Sequence, residues 1–498
     1  MTEGAHAVPV IVGVGQVNDR PAEGEAGRNS LDLMEAALRA AERDAGGNWL
    51  AAIDSLAVVA QISCPELGDV SAPLAARLGA TPRLCSQTPY PMGDSPILLL
   101  NEAANRIAAG EIGVTAVVGG EALRSAARRA AAGGNATREI SARHAPSFRR
   151  RYGLVAPTDI YPLYENATRA AWGQTLAQAQ QENAAIWARL SRIAAGNPAA
   201  WIRTPRTEQE ILTPSAENRP IAFPYGKLMV ANSAVNQGAG FIVTSLARAR
   251  AAGIDEARLV YVWRGAAAYE PPDFLARDRF DRSAAMQVCL TRALAFNGLT
   301  ADDLDFVELY SCFPCVPKMA RRVIGWPVER DASVYGGLTF GGGPIGNAMG
   351  HAVACMVQRL RASGRHGLLF GNGGFATTNH AIVLSRHAPP PGALPASFDV
   401  QAEADALREP APSLMEDYTG PGRIETYTVF YDRQGSADFG VIVARSPDGS
   451  RFLAKIPGSD REGIGFLTCG RGEPVGAPGV AVPGGDGDVV WGKEGLLF

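Results

Sequence analysis

Residues 336–361 read GGLTFGGGPIGNAMGHAVACMVQRLR, a loop crowded with glycine and proline that runs straight into an apolar helical pattern. Two readings fit such a stretch. Glycines let a loop pack tightly against a neighbouring strand, or they bring backbone close to a ligand, where the unpaired N–H groups of a first helical turn hold an anion or a polarised carbonyl. The elements on either side decide between them.

Upstream and downstream, strand and helix patterns alternate. VPVIVGVGQV (8–17) reads as a buried strand, SLDLMEAALRAAERDAG (30–46) as an amphipathic helix with Ser30 at its N-cap, and IDSLAVVAQ (53–61) as a second strand. RLCSQTPY, the helix at 95–111 and the strand VTAVVGGEA (114–122) continue the order. It recurs at 259–269, 280–298, 303–311, the opening loop with its helix, 366–374 and 380–385. This is the signature of βαβ units and a mostly parallel sheet covered by helices, in two similar halves. Between the halves lies a segment rich in Ala, Gln and Trp, with its best helix at 173–196.

The texture changes after residue 388. APPPGALPASF reads as a linker, and residues 422–458 alternate apolar and polar around the turns DRQG and SPDG, which predicts a small antiparallel barrel. Its aromatic residues Tyr427, Phe430 and Tyr431 serve equally as core or as a base-stacking surface. The last thirty residues, rich in Gly and Pro, read as irregular.

A chain of 498 residues exceeds what one hydrophobic core serves, which predicts several packed units. The formal net charge of -3 disfavours a polyanionic partner, so nucleic acid is not expected as the ligand. No apolar run is long enough for a bilayer, and the seven scattered cysteines read as reduced thiols, so cytoplasm is the expected location.

Several of these motifs together resemble the thiolase superfamily, especially its sterol-carrier-type branch: VVGGEALRS, ELYSCF, GGLTFGGGPIG and the hairpin FGNGGFATTNHAIVL. MGDSP, YPLYENATRAAWG and the C-terminal β extension are similar to the subgroup called thiolase-like protein type 1, often named acetyl-CoA acetyltransferase. The resemblance implies an α/β duplicated thiolase fold, layered α-β-α-β-α. It divides the chain into an N-terminal half (1–127), an inserted cap (128–255), a C-terminal half (256–388), a linker (389–420) and an OB-like barrel (421–498). It also implies an acyl-CoA ligand, with coenzyme A as part of the substrate and no tightly bound cofactor, in a chain that is a homodimer or a monomer.

Placed on the thiolase pattern, the nucleophilic cysteine falls on Gly93, the histidine or asparagine before the D-C-F-type motif on Tyr310, the G-H-P histidine on Gly343 and the second cysteine on Gly371. All four reactive side chains are therefore absent. Glycine at residues 93, 343 and 371 removes covalent acyl transfer. Tyr310 and Cys312 remain as candidate catalytic groups, since a phenol can donate a proton to a developing enolate. For Cys312 and Cys315, relocated thiol chemistry competes with a role as small buried residues. His351 and His380 read as packed histidines or as bases. Substrate contacts are expected from Gly93, Asp94, Ser95, Gly342, Gly343, Pro344, Gly371, Asn372, Gly373 and Gly374, with backbone N–H groups polarising a thioester carbonyl. Asp94 and Ser95 have the competing role of capping the helix that follows. Three functions remain open: an altered acyltransferase, a retro-aldol lyase using Tyr310, and a non-catalytic acyl-CoA or lipid binder.

Overall fold

A computed structural model describes residues 3–133, 147–390 and 393–493. Its main sheet has nine strands: β1 (Pro9–Asn18), β2 (Ser55–Val58), β3 (Leu84–Gln87), β4 (Val114–Ala122), β7 (Asn236–Ser245), β8 (Val260–Tyr269), β9 (Phe306–Glu308), β10 (His366–Gly373) and β11 (Thr378–Ser385). The order is β3-β2-β4-β7-β1-β8-β11-β10-β9. Only the outer pairs β2–β3, β2–β4 and β9–β10 are parallel. The centre is antiparallel, which corrects the expectation of a mostly parallel sheet. Two pairings cause this: β10 returns as β11 through a tight hairpin, and β7 enters between β1 and β4. Every residue of β7, which lies within the 128–255 segment, is buried in this sheet. Just two residue pairs, Val10–Tyr261 and Ile11–Val260, join the two halves of the sheet.

Helix Ser30–Ala45 is capped by Asn29, not Ser30. The Asn29 side chain accepts from the Asp32 N–H at 2.9 Å while the Asp32 carboxylate accepts from the Asn29 N–H at 3.1 Å, a reciprocal box that satisfies two end donors. Ser30 is thereby freed to hydrogen-bond Ser63 at 2.6 Å. Strand β9 is far shorter than the nine residues expected. It stops at Glu308 because Tyr310 takes a left-handed backbone, with φ 45°, which no strand accommodates.

In the C-terminal region β12 (Gly420–Tyr431), β13 (Ala437–Arg445), β14 (Arg451–Pro457), β15 (Pro478–Pro483) and β16 (Val489–Lys493) close into a five-stranded barrel. The tail expected to be irregular thus supplies two strands. Pro478 and Pro483 sit at the two ends of β15, outside its interior, and Gly479 leaves room for Trp491, whose ring would lie 2.3 Å from a β-carbon there. Tyr427 is buried in the barrel core. Strands β5 (Pro220–Ala222) and β6 (Tyr225–Gly226), from the inserted segment, attach to this sheet through β12.

The barrel sits on helix Pro157–Ala171. The Thr426 hydroxyl donates to the Leu163 carbonyl at 2.5 Å, Asn166 Nδ2 donates to the Tyr427 carbonyl at 2.9 Å, and Arg169 pairs with Glu473 at 2.5 Å. Arg451, fully buried, pairs with Glu425 at 2.7 Å and donates to the Arg277 carbonyl at 2.6 Å. Among the described residues no helix is long and apolar enough to cross a membrane.

Candidate functional site

A cavity of about 370 Å³ opens where the turn Pro91–Gly93, the start of helix Pro157–Ala171, the segment after β9, the glycine loop and the β10 turn converge. That volume is in the range of small-molecule sites. The wall includes Gly93, Tyr161, Ser233, Tyr310, Cys312, Phe313, Gly343, Ile345, Asn372, Gly373 and Gly374, and among the described residues it holds no carboxylate, imidazole or basic group.

Glycine at 93 and at 371 reflects an absence of space. A β-carbon on Gly93 would lie 1.8 Å from the Tyr310 hydroxyl and 2.3 Å from the Asn372 carbonyl oxygen. One on Gly371 would lie 2.9 Å from Asp94 Cα. Gly343 differs, with nothing nearer than 3.4 Å to a β-carbon. The glycines of the 336–343 loop divide accordingly. Gly336, Gly341 and Gly342 are packing residues, whose β-carbons would meet Ala194 at 2.5 Å, Tyr335 at 2.6 Å and Gln237 at 2.1 Å. Of these loop glycines only Gly343 faces the cavity, and its N–H is already donated to the Asn232 carbonyl at 2.9 Å. The expectation that this N–H polarises a ligand therefore fails. The Gly93 N–H, by contrast, has no backbone acceptor among the described residues.

Tyr310 dominates the site. It is one of three non-glycine residues with positive φ among the described residues, and all three belong here: Tyr310 and Ile345 line the cavity, and the Ala376 N–H donates to the Tyr161 hydroxyl at 2.9 Å. Left-handed backbone at a bulky or β-branched residue is strained, and such strain clusters at functional sites. Burial first, then Cys312 and Asp94, push the Tyr310 phenol well above its ordinary pKa. It thus keeps its proton at neutral pH and can donate a hydrogen bond. Burial pushes the Cys312 thiol up to about 12 and the Cys315 thiol up as well, so neither is a ready nucleophile.

Asp94 and Ser95 face elsewhere. Asp94 makes no side-chain cap; its buried carboxylate accepts from the Thr378 hydroxyl and lies 2.9 Å from His380 Nδ1. The Ser95 hydroxyl accepts from the Met92 N–H at 3.1 Å and so fixes the turn that carries Gly93. Gly342, Pro344 and Gly371 are also outside the wall, whereas Asn372, Gly373 and Gly374 are in it. His351 lies outside as well, 2.8 Å from Gln16 through Nδ1, and burial lowers its pKa to about 3.

Two contributors escaped the sequence reading. Tyr161 stacks on Phe313 with ring centroids 4.5 Å apart, and its hydroxyl lies 3.0 Å from Asn372 Oδ1 and 3.1 Å from the Gly374 carbonyl. Its spacing with Tyr164 in YPLYEN looks like an ordinary helical core stripe, which hid it. Glu165, four residues on, forms a fully buried ion pair with Lys318 at 2.5 Å and also accepts from the Tyr225 hydroxyl at 2.9 Å. This pair ties the helix of Tyr161 to helix Cys315–Ile324, which follows Tyr310.

Comparison with known proteins agrees with this geometry. Residues 399–481 match the model for the thiolase-like protein type 1 additional C-terminal domain. A crystal structure of a monomeric SCP2-thiolase like protein type 1 from Mycobacterium smegmatis is 32% identical, with TM-score 0.83, covering 99% of this chain and 100% of that one. Human mitochondrial 3-ketoacyl-CoA thiolase (15% identity, TM-score 0.58, 76% of this chain and 98% of that one) shares the fold. So does the Ltp2-ChsH2(DUF35) aldolase (17%, TM-score 0.59, 77% and 99%). Acetyl-CoA acetyltransferase IA of Candida tropicalis is 28% identical over 153 residues, 30% of this chain and 34% of the relative, so the match spans about a third of that protein. The full-length likeness and the matched domain lead to one conclusion: the chain belongs to the thiolase-like protein type 1 family.

Proposed function

We propose that this protein binds acyl-CoA thioesters without forming an acyl-enzyme. The observation that carries the reading is the Tyr310 hydroxyl standing in the volume of a side chain at residue 93. A thioester carbonyl drawn to that hydroxyl and to the Gly93 N–H receives two hydrogen bonds, while no thiolate is within reach to attack it. The largely apolar wall suits an uncharged acyl group. On this reading the name acetyl-CoA acetyltransferase describes the ancestry of the fold and not its chemistry, and the protein acts in the cytoplasm as a monomer.

A second reading is favoured by the strained backbone of Tyr310: retro-aldol cleavage of a β-hydroxyacyl-CoA, with the phenol protonating the enolate. That reaction also needs a base for the β-hydroxyl, which the cavity wall lacks and the substrate or a water would have to provide.

Equilibrium titration with acetoacetyl-CoA, followed by intact-mass measurement after incubation with acetyl-CoA, tests the first reading. Saturable binding with no acetyl adduct is expected. A stoichiometric adduct on Cys312 or Cys315 would overturn it in favour of relocated thiolase chemistry. Release of aldehyde or ketone from β-hydroxyacyl-CoA would establish the second reading.

A further inference from the structure

A second cavity, of about 480 Å³, lies where three parts of the chain meet. Helix Leu176–Gly196 supplies its first turns, the inserted segment supplies Phe223, Tyr225 and Met229, and the barrel region supplies Tyr431 at the end of β12 and Cys469 just after helix Arg461–Thr468. This cavity shares no wall residue with the one at Tyr310. Tyr225 lines the one and Phe313 the other, with ring centroids 5.8 Å apart. The volume is that of a small-molecule site and exceeds the 370 Å³ of the first cavity.

The chemistry of the wall narrows what could fill it. Among the described residues it holds no carboxylate, imidazole, ammonium or guanidinium group. A charge brought here would lose its water and gain no counterion, so the wall favours an uncharged molecule. Most of its polar side chains are spent on the fold. The Tyr225 hydroxyl donates to Glu165 at 2.9 Å, and Thr175 Oγ1 accepts from the Gln178 N–H at 3.2 Å. Asn218 donates from Nδ2 to the Ile211 carbonyl at 2.9 Å and accepts through Oδ1 from the Leu228 N–H at 2.9 Å. Besides the Cys469 thiol, two groups remain. Burial pushes the Tyr431 phenol up to about 12, and its hydroxyl makes no hydrogen bond among the described residues. Gln180 donates from Nε2 to the Pro224 carbonyl at 2.6 Å, while its Oε1 is buried without a partner. Such a wall suits an apolar body, taken by the rings and Met229, with one N–H or O–H group that finds an acceptor oxygen.

We propose that this cavity is a second ligand site, separate from the thioester cavity, for an uncharged and largely apolar small molecule bearing one hydrogen-bond donor, with the Tyr431 hydroxyl as its polar contact. The site stands on its own wall chemistry and does not depend on what the Tyr310 cavity binds.

The probe is N-phenyl-1-naphthylamine, uncharged, apolar and with a single N–H, set against 8-anilinonaphthalene-1-sulfonate, which keeps the ring framework and adds a negative charge. Fluorescence titration of the full chain should show one saturable site for the amine, with affinity about tenfold or more above that of the sulfonate. Ala177→Trp, at an exposed wall position, should fill the cavity and abolish that site with little change in melting temperature. Tyr431→Phe should weaken binding about fivefold, the worth of one hydrogen bond. Bound amine should slow iodoacetamide alkylation of Cys469 and leave Cys85, the other exposed cysteine, reacting at its original rate. This protection needs no variant, so misfolding cannot mimic or hide it. Acetoacetyl-CoA should not displace the amine. Sulfonate binding as tight as the amine's, binding that survives Ala177→Trp or is undiminished in Tyr431→Phe, or an unprotected Cys469 would each overturn the assignment. Displacement by acetoacetyl-CoA would overturn it too, by putting the probe in the Tyr310 cavity, and so would failure of the amine to bind.

Discussion

The hydroxyl of Tyr310 and the α-carbon of Gly93 share one space: a β-carbon on residue 93 would come within 1.8 Å of that oxygen. A nucleophilic side chain at 93 and a tyrosine at 310 therefore exclude each other. Gly93→Cys should yield no thiolase. It should cost about 1–3 kcal/mol through overpacking against Tyr310 and the Asn372 carbonyl, read as a lowered melting temperature, with no acetyl adduct by mass. Gly343→Ala, where a β-carbon has ordinary room, should melt within about 0.5 kcal/mol of the parent. Equal tolerance at both positions would contradict the packing described.

Tyr310→Phe keeps the ring and its burial but removes the donor. Melting temperature should change little. Any carbon–carbon bond cleavage by the parent should fall about a hundredfold or more, matching the loss of a preorganised donor of about 2.7–4 kcal/mol. Unchanged turnover in the variant would remove Tyr310 from the chemistry.

Breaking the Glu165–Lys318 pair should be the costliest change near the site. Lys318→Met leaves a buried carboxylate with only the Tyr225 and Asn183 side chains as donors, and should lose about 3–5 kcal/mol of stability. Glu165→Gln combined with Lys318→Met should recover much of this. Denaturant melts of the two single variants and the double variant give the coupling energy directly.

The pH dependence follows from two buried groups. Glu308, with Ser333 donating at 2.6 Å and its other oxygen unpartnered, is raised by burial from 4.5 to about 8. The folded chain keeps this proton where the unfolded chain has lost it, so stability falls as pH rises from about 4.5 to 8, at up to about 1.4 kcal/mol per unit. His351, lowered from 6.5 to about 3, acts in the opposite sense and costs stability as pH falls from 6.5 toward 3. Glu308→Gln should gain on the parent in melting temperature as pH goes from 5 to 8. A constant gap across that range would rule out Glu308 as the source.

The fold was legible because buried strands and amphipathic helices carry their periods in the sequence, and because the glycine loop leads into the helix Ala348–Ala362 as its pattern says. What escaped depends on long-range pairing. The centre of the sheet is antiparallel because β7 inserts between β1 and β4, and no local signal announces a partner more than a hundred residues away. At the site, Tyr310, Gly343 and the Asn372 turn could be picked out from the resemblance to the thiolase pattern, and all line the cavity. Asp94 could not be separated from a helix cap, since its turn toward His380 depends on β11 arriving behind it. The two strands in the tail were masked by prolines whose harmlessness shows only once β15 is placed against β16.

Helix Pro157–Ala171 is shared property: one face supplies Tyr161 to the cavity, and the other is gripped by the barrel through Leu163, Asn166 and Arg169. A chimera that exchanged the barrel for one from a distant relative would need matching groups at each of those grips, or the cavity wall would shift with the graft. Inheritance should follow the same constraint. The thiolase-fold body and its C-terminal attachment can drift only together, so the module behaves as a grown limb and not as a detachable cassette.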